Sequence, residues 1–443
     1  MPFSAKARSR AAWRLAIVTP LALLCATHPP AQADDWPQWG GPQRDCVWHE
    51  TGLVETLPPG LLPRVWSVPV GEGYSGPAVA AGRVYLTDFS NRNGSRGNER
   101  VLCFDADTGK EHWQHAYPVQ YEISYPAGPR ATPVVADNRV YTIGAMGNMF
   151  CFDATNGTIL WEKDFRRDFQ TELPTWGMAA APLVDGEQLI TLVGGRNGAT
   201  VVSFDRKTGR ELWRALDDPQ VGYAPPVIYT FGQRRQLIIW HPDAVTSLDP
   251  LNGKVYWNVP FAVKSGLCVP MPRQEGNRLF VTAFYNGPLM LEVSPDEPAA
   301  RIAWKGHSDS EIKTDGLHSI MPTPIVNRTH IYGICSYGQL RCLDSQTGQR
   351  IWETFAATGQ GRWWNAFLIP NGDRVFIHNE QGDLIIAQLS PQGYVERSRS
   401  KLVEPTRDVA RRQTIWSHPA FAMKSVFARN DKELVRVNLA ATP

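Results

Sequence analysis

Residues 101–113 read VLCFDADTGKEHW, which sets a thiol, carboxylates, a Thr-Gly turn and a histidine within thirteen positions. Taken alone, the stretch has the look of reactive chemistry. Its recurrence decides otherwise: FDADTGKEHW (104–113) returns as FDATNGTILW (152–161), FDRKTGRELW (204–213), LDPLNGKVYW (248–257) and LDSQTGQRIW (343–352). Each copy places Gly four positions and Trp eight positions after an Asp: Asp105, Gly109, Trp113; Asp153, Gly157, Trp161; Asp205, Gly209, Trp213; Asp249, Gly253, Trp257; Asp344, Gly348, Trp352. A fixed period of this length is the mark of a repeat architecture.

The tryptophans run further than the full motif. Trp66, Trp113, Trp161, Trp213, Trp257, Trp304 and Trp352 are separated by 47, 48, 52, 44, 47 and 48 residues. One more step falls near Ser400, in YVERSRSKLV, where no Trp stands, so there are eight positions. Ahead of each comes a segment of small residues and Pro (SGPAVA, ATPVVA, AAPLVD), then an alternating run such as GRVYLTD or NRVYTIG. That alternation has the period of a strand. A third strand ends in the Asp turn and a fourth carries the Trp. Four strands per repeat describe a propeller blade, and the chain reads as an all-β, eight-bladed β-propeller.

The motif itself has a structural explanation. The Asp can accept bonds from turn amides, and the Gly supplies the positive φ of a tight hairpin. Pro250, in the fourth copy, suits the fixed φ of a type I turn. Two positions before each Asp stand Cys103, Cys151, Ser203, Ser247 and Cys342, always small. Each Trp can bury about 150–250 Å², worth about 4–6 kcal/mol gross, as a staple between blades.

The ends of the chain follow from the count. The last repeat supplies three strands within 417–439, and RVWSVPV (64–70) is a stray fourth strand with Trp66 on the period. It is expected to complete blade eight and close the ring, removing two open edges; seven blades with a loose tail is the alternative. Residues 34–63, with Trp36, Trp39 and Trp48, form an N-terminal arm packed on the ring, and 64–443 the propeller. Residues 1–33 read as a secretory signal peptide: Lys6, Arg8, Arg10 and Arg14 precede a twelve-residue apolar run, Leu15–Ala26, and then Ala31-Gln32-Ala33. The run is too short for a membrane span, which takes about 20 residues, and Leu24 argues against lipoprotein processing at Cys25. Without 1–33 the chain has 41 basic and 43 acidic residues, a balance with no footprint for nucleic acid. The six remaining cysteines include no adjacent pair and no CxxCH.

Asp-x-x-Thr-Gly-x-x-x-Trp in this spacing resembles the repeat motif of the pyrroloquinoline quinone (PQQ) propellers, over roughly residues 64 to 439. That family includes quinoprotein alcohol and sugar dehydrogenases and the non-enzymatic BamB type, so the resemblance leaves function open. The dehydrogenases commonly stack the quinone on a disulfide of adjacent cysteines and bind Ca²⁺ through Glu, Asn and Asp. No such cysteines and no convincing ligand set map onto this chain.

Other motifs give way to plainer readings. GEGYSG (71–76) is a turn between strands, because no helix follows it. DADTGKE lacks the Gly position and the terminal Glu of a Ca²⁺ loop. DFSNRNGSRGNER (88–100) reads as a mobile polar loop. His112 and His115 flank Trp113 on an exposed strand. Candidate ligand-binding residues stand instead on the loops between blades and between second and third strands, which share the face opposite the Asp turns. They are Tyr125, Arg130, Trp176, Tyr223, His241, His318, Trp363, Trp364 and His418. Aromatic, His and Arg side chains converging from several blades suit a small-molecule or peptide pocket. The favoured expectation is an exported, periplasmic or extracellular, monomeric and non-catalytic binding or scaffold protein of the BamB type, with protein partners in the cell envelope, no catalytic residues, no metal and no cofactor. The alternative is a quinoprotein dehydrogenase using PQQ with calcium in an atypical site.

Overall fold

A computed structural model describes residues 1–3, 34–125, 127–218 and 220–441, and Ala33–Pro443 forms one compact unit. Apart from residues 1–3, the expected signal peptide lies outside the described residues. No helix among them is long and apolar enough to cross a membrane.

Eight four-stranded antiparallel sheets follow one another along the chain. Blade 1 covers residues 78–120, blade 2 134–164, blade 3 183–215, blade 4 227–260, blade 5 273–305, blade 6 325–354 and blade 7 366–401. Blade 8 takes Ala420–Ala422, Ser425–Arg429 and Glu433–Asn438 from the C-terminal end, and its outer strand is Arg64–Pro69 from the N-terminal end. The closing pair runs antiparallel, with Ser67 opposite Val435 and Val68 opposite Leu434. Arg64 clamps Glu433 in a bidentate ion pair at 2.6 and 2.9 Å.

The repeat motif shapes the outer half of each blade. Oδ1 of Asp105 accepts bonds from the amide of Thr108 (2.8 Å), its hydroxyl (2.8 Å) and the amide of Asp107 (3.2 Å); Asp205 and Asp344 repeat the pattern. The small residue two before the Asp lies opposite the Trp: Cys103 faces Trp113, Cys151 Trp161 and Ser203 Trp213. A β-bulge falls beside it in every blade, so the residue before each Trp is unpaired. A bulge re-aims a side chain, and here the Trp turns onto the next blade. Trp113 lies against Gly157, and its indole N–H donates to the Ala154 carbonyl at 3.1 Å. Trp66 does the same to Ala106, Trp161 to Arg206 and Trp304 to Ser345.

Two tryptophans depart from the pattern for visible reasons. Trp213 donates to Gln188 Oε1, and Gln188 passes a bond on to the Pro250 carbonyl. Trp257 faces blade 5, which has no Asp turn to offer a carbonyl, and Gln236 Oε1 takes its N–H at 2.7 Å. In blade 7 the register puts Ser398 opposite Ile386, in the place of the missing Trp. The N-terminal arm covers it, and the Leu57 amide donates to Ser398 Oγ.

That arm circles the inner strands. Trp36 exchanges backbone bonds with Val79 of blade 1, the Pro37 carbonyl takes the Val135 amide of blade 2, and the Trp48 amide reaches Pro370 of blade 7. Arg44 donates to the carbonyls of Pro182 and Pro226, at the head of blades 3 and 4, both at 3.0 Å. Contact with the innermost strands on opposite sides of the ring puts the arm in the axial channel. Trp36 and Trp48 are fully buried there against Phe421.

The segment 88–100 is not a loop. It extends blade 1 as a hairpin, with Ser90 opposite Asn98 and a turn between Asn93 and Arg96. Its polar composition hides Phe89, which is buried against Tyr121, and the Asp88–Arg100 pair at its base.

Candidate functional site

Loops from all eight blade junctions meet over the axis and enclose a cavity of about 230 Å³, and Trp39 of the arm is part of its wall. The arm makes the cavity blind on the side of the Asp turns. Nine aromatic rings line it. Tyr74 stacks on Trp416 at 6.3 Å, Tyr125 meets Trp363 edge-on at 6.1 Å, and Trp176 meets Tyr223 edge-on at 5.7 Å. These are the offset and edge geometries that ring quadrupoles favour.

Two of the rings are held by strained backbone. Tyr125 has φ 53° and Trp363 φ 64°, left-handed conformations uncommon for bulky residues. Each costs on the order of 1–3 kcal/mol, and such strain concentrates at ligand sites.

Arg130 supplies the charge in the wall. Its guanidinium lies 5.0 Å over the Tyr74 ring and donates to the carbonyls of Gly128, Ser124 (3.0 Å) and Tyr125 (2.6 Å). Burial pulls its pKa below the usual arginine value. Around the rim the other arginines are matched: Arg362 with Glu311, Arg407 with Asp431 and Arg412 with Glu380. Arg362 also covers the Trp363 ring at 4.4 Å, and Arg407 covers Tyr74 at 4.2 Å.

His418 lies against Trp39, ring centroids 4.4 Å apart, with Nε2 on the Thr132 hydroxyl at 2.6 Å and Nδ1 on the Pro419 carbonyl. Burial pushes its pKa down to about 4, so the ring is neutral at pH 7.

Six of the nine candidates therefore share this cavity: Tyr125, Arg130, Trp176, Tyr223, Trp363 and His418. The other three do not line it. His241 is buried between Asp218 (2.6 Å) and Thr246 (3.1 Å). His318 is fully buried, between the Phe284 carbonyl and Asp315. Trp364 points away and packs on Gly359 and Gly338. Sequence reasoning missed Trp39, Tyr74, Tyr285 and Trp416. Tyr74 stands within GEGYSG, where Gly73 and Gly76 admit Arg429 and His418 at distances that leave no room for a Cβ.

Among the described residues one group could ligate a metal: Asp218, His241 and Asp243 bring ligand atoms within 4.8 Å of one another. The hydrogen bond to Asp218 raises the Asp243 pKa, as expected for two carboxylates side by side.

A family profile described as outer membrane protein assembly factor BamB matches residues 63–142, 97–354 and 245–442. The chain belongs to that family. The BamB of Burkholderia pseudomallei (strain K96243) is 27% identical over 141 residues, 31% of this chain and 32% of that protein, so the alignment spans about a third of that relative's length. The crystal structure of BamB from Moraxella catarrhalis superposes with a TM-score of 0.58 at 15% identity, covering 86% of this chain and 99% of that one. The quinohemoprotein alcohol dehydrogenase of Comamonas testosteroni gives 0.58 at 12% identity, covering 92% and 81%. At these identities the two solved structures share the fold alone, and a BamB and a dehydrogenase are equally similar.

The site residues do not fit a calcium-bound quinone. Among the described residues, the cavity wall contains no Asp, Glu or Asn to hold the ion, and each of Cys46, Cys103, Cys151, Cys268, Cys335 and Cys342 is a free thiol. Its volume is also below the roughly 300–1,000 Å³ of ordinary small-molecule sites.

Proposed function

We propose that this BamB-family chain is a non-catalytic, exported propeller that binds a protein partner in the cell envelope through the face carrying the interblade loops. The observation that carries the reading is the axial cavity, whose strained backbone and nine aromatic rings offer a binding surface to a partner. The family's description as an assembly factor supports the same direction, and the signal-like N-terminus supports export to a periplasmic or extracellular location. A dehydrogenase would need groups that this wall lacks.

The test has two arms. Immobilised protein is exposed to solubilised envelope extract, and purified protein is mixed with PQQ and Ca²⁺, desalted and scanned. A retained partner and no quinone absorbance are expected. Quinone absorbance surviving desalting, together with dye reduction and no retained partner, would overturn the reading.

A further inference from the structure

The partner's chemistry can be taken further, on the footing of the binding reading above. Arginine carries five N–H groups. Three bonds from Arg130 go to the carbonyls of Gly128, Ser124 and Tyr125, which leaves two N–H groups without an acceptor among the described residues. No described carboxylate lies within ion-pair distance of it, whereas Arg362, Arg407 and Arg412 on the rim each have one. The nearby Glu99 is occupied by the hydroxyls of Tyr117 and Tyr121 and the Ala145 amide. Arg130 is thus a half-buried cation in the wall of a largely aromatic cavity, with donors to spare.

We infer that the cavity receives one aromatic side chain of a partner protein, and that an acidic residue beside it in the partner's sequence takes the free N–H groups of Arg130. About 230 Å³ accommodates a single large side chain. Wall rings present edges and faces to a guest ring, and buried aromatic anchors carry most of the energy of protein interfaces. A cationic guest would meet Arg130 unscreened. A carboxylate on a guanidinium is the strong, charge-assisted pairing that such a site rewards.

The experiment is calorimetric titration of the full chain with capped pentapeptides. The probe is acetyl-Gly-Asp-Phe-Gly-Ser-amide, with Asn for Asp, Lys for Asp and Ala for Phe as comparators. Saturable binding is expected for the Asp-Phe peptide, about tenfold tighter than for the Asn or Ala versions and undetectable for Lys. Arg130→Gln should make the Asp and Asn peptides equal, and Arg130→Lys should keep part of the preference, with thermal melting checking that both variants fold. No binding by any peptide, or equal binding of Asp-Phe and Asn-Phe by the wild type, would overturn the inference. Repeating the envelope capture with Arg130→Gln separates the two proposals. A partner retained equally by the variant sinks the cavity as its docking point and leaves the binding reading intact. Loss of the partner supports the cavity only alongside the peptide preference.

Discussion

At the scale of single residues, glycine and tryptophan carry the repeat as a unit. Gly157 has φ 72°, and a Cβ there would stand 2.6 Å from the Trp113 ring. Gly157→Ala combines a left-handed alanine with an overpacked ring and should cost about 2–4 kcal/mol. Gly186→Ala, at φ 56° with nothing within 4 Å, should show only the smaller backbone cost; the two melting curves measure the difference. Two buried histidines give a pH signature. Burial lowers the pKa of His378 and of His418 from 6.5 to about 4, and His378 Nε2 has no partner among the described residues. The unfolded chain therefore binds more protons between these values, so this stabilisation is complete above about pH 6.5 and is lost as pH falls toward 4. Each contributes on the order of 3 kcal/mol at most. Burial raises Glu99 and Glu380, which act in the opposite sense, so the clean measurement is a comparison. Urea midpoints of wild type should fall more steeply from pH 7 to 4.5 than those of His418→Gln.

At the scale of elements, the arm and the interblade loops differ in how much of them the sequence reveals. Strand order, ring size and the Asp turns could be read because each repeat states the same local requirements: a small residue, a turn-forming Asp, a left-handed Gly, a Trp. The site lies where the repeat breaks, so loop composition named six cavity residues without fixing their directions. Nothing in WHPDA says that His241 turns inward to Asp218, and nothing in KTDGLHSIMP says that His318 is sealed behind the wall. Trp39 was beyond reach for a different reason, since the arm has no repeat to align it with any blade. Arg44 is the arm's main polar anchor. Arg44→Met should leave the carbonyls of Pro182 and Pro226 without their donor and destabilise by about 1–3 kcal/mol per carbonyl left unsatisfied. Proteolysis at limiting protease should then cut first within 34–63, while the blades stay intact.

At the scale of the whole molecule, one joint holds the circle. Trp66 bonds the Ala106 carbonyl at 2.9 Å and lies on Gly109, which ties the closing strand to blade 1. Trp66→Ala should cost about 3–5 kcal/mol. Amide exchange should accelerate in Arg64–Pro69 and Glu433–Asn438 well before Val201–Asp205 responds; uniform acceleration would mean that the ring opens only by global unfolding. The same joint imposes an order in time. Arg64 and Glu433 are 369 residues apart, so the first strand to be synthesised waits for the last. Bringing such distant segments together costs about 5 kcal/mol of chain entropy. Until that happens the protein is an open arc with two bare sheet edges, and the arm cannot yet be gripped from all sides. The interval between making blade 1 and completing blade 8 is thus the period in which this chain is most exposed to wrong pairing.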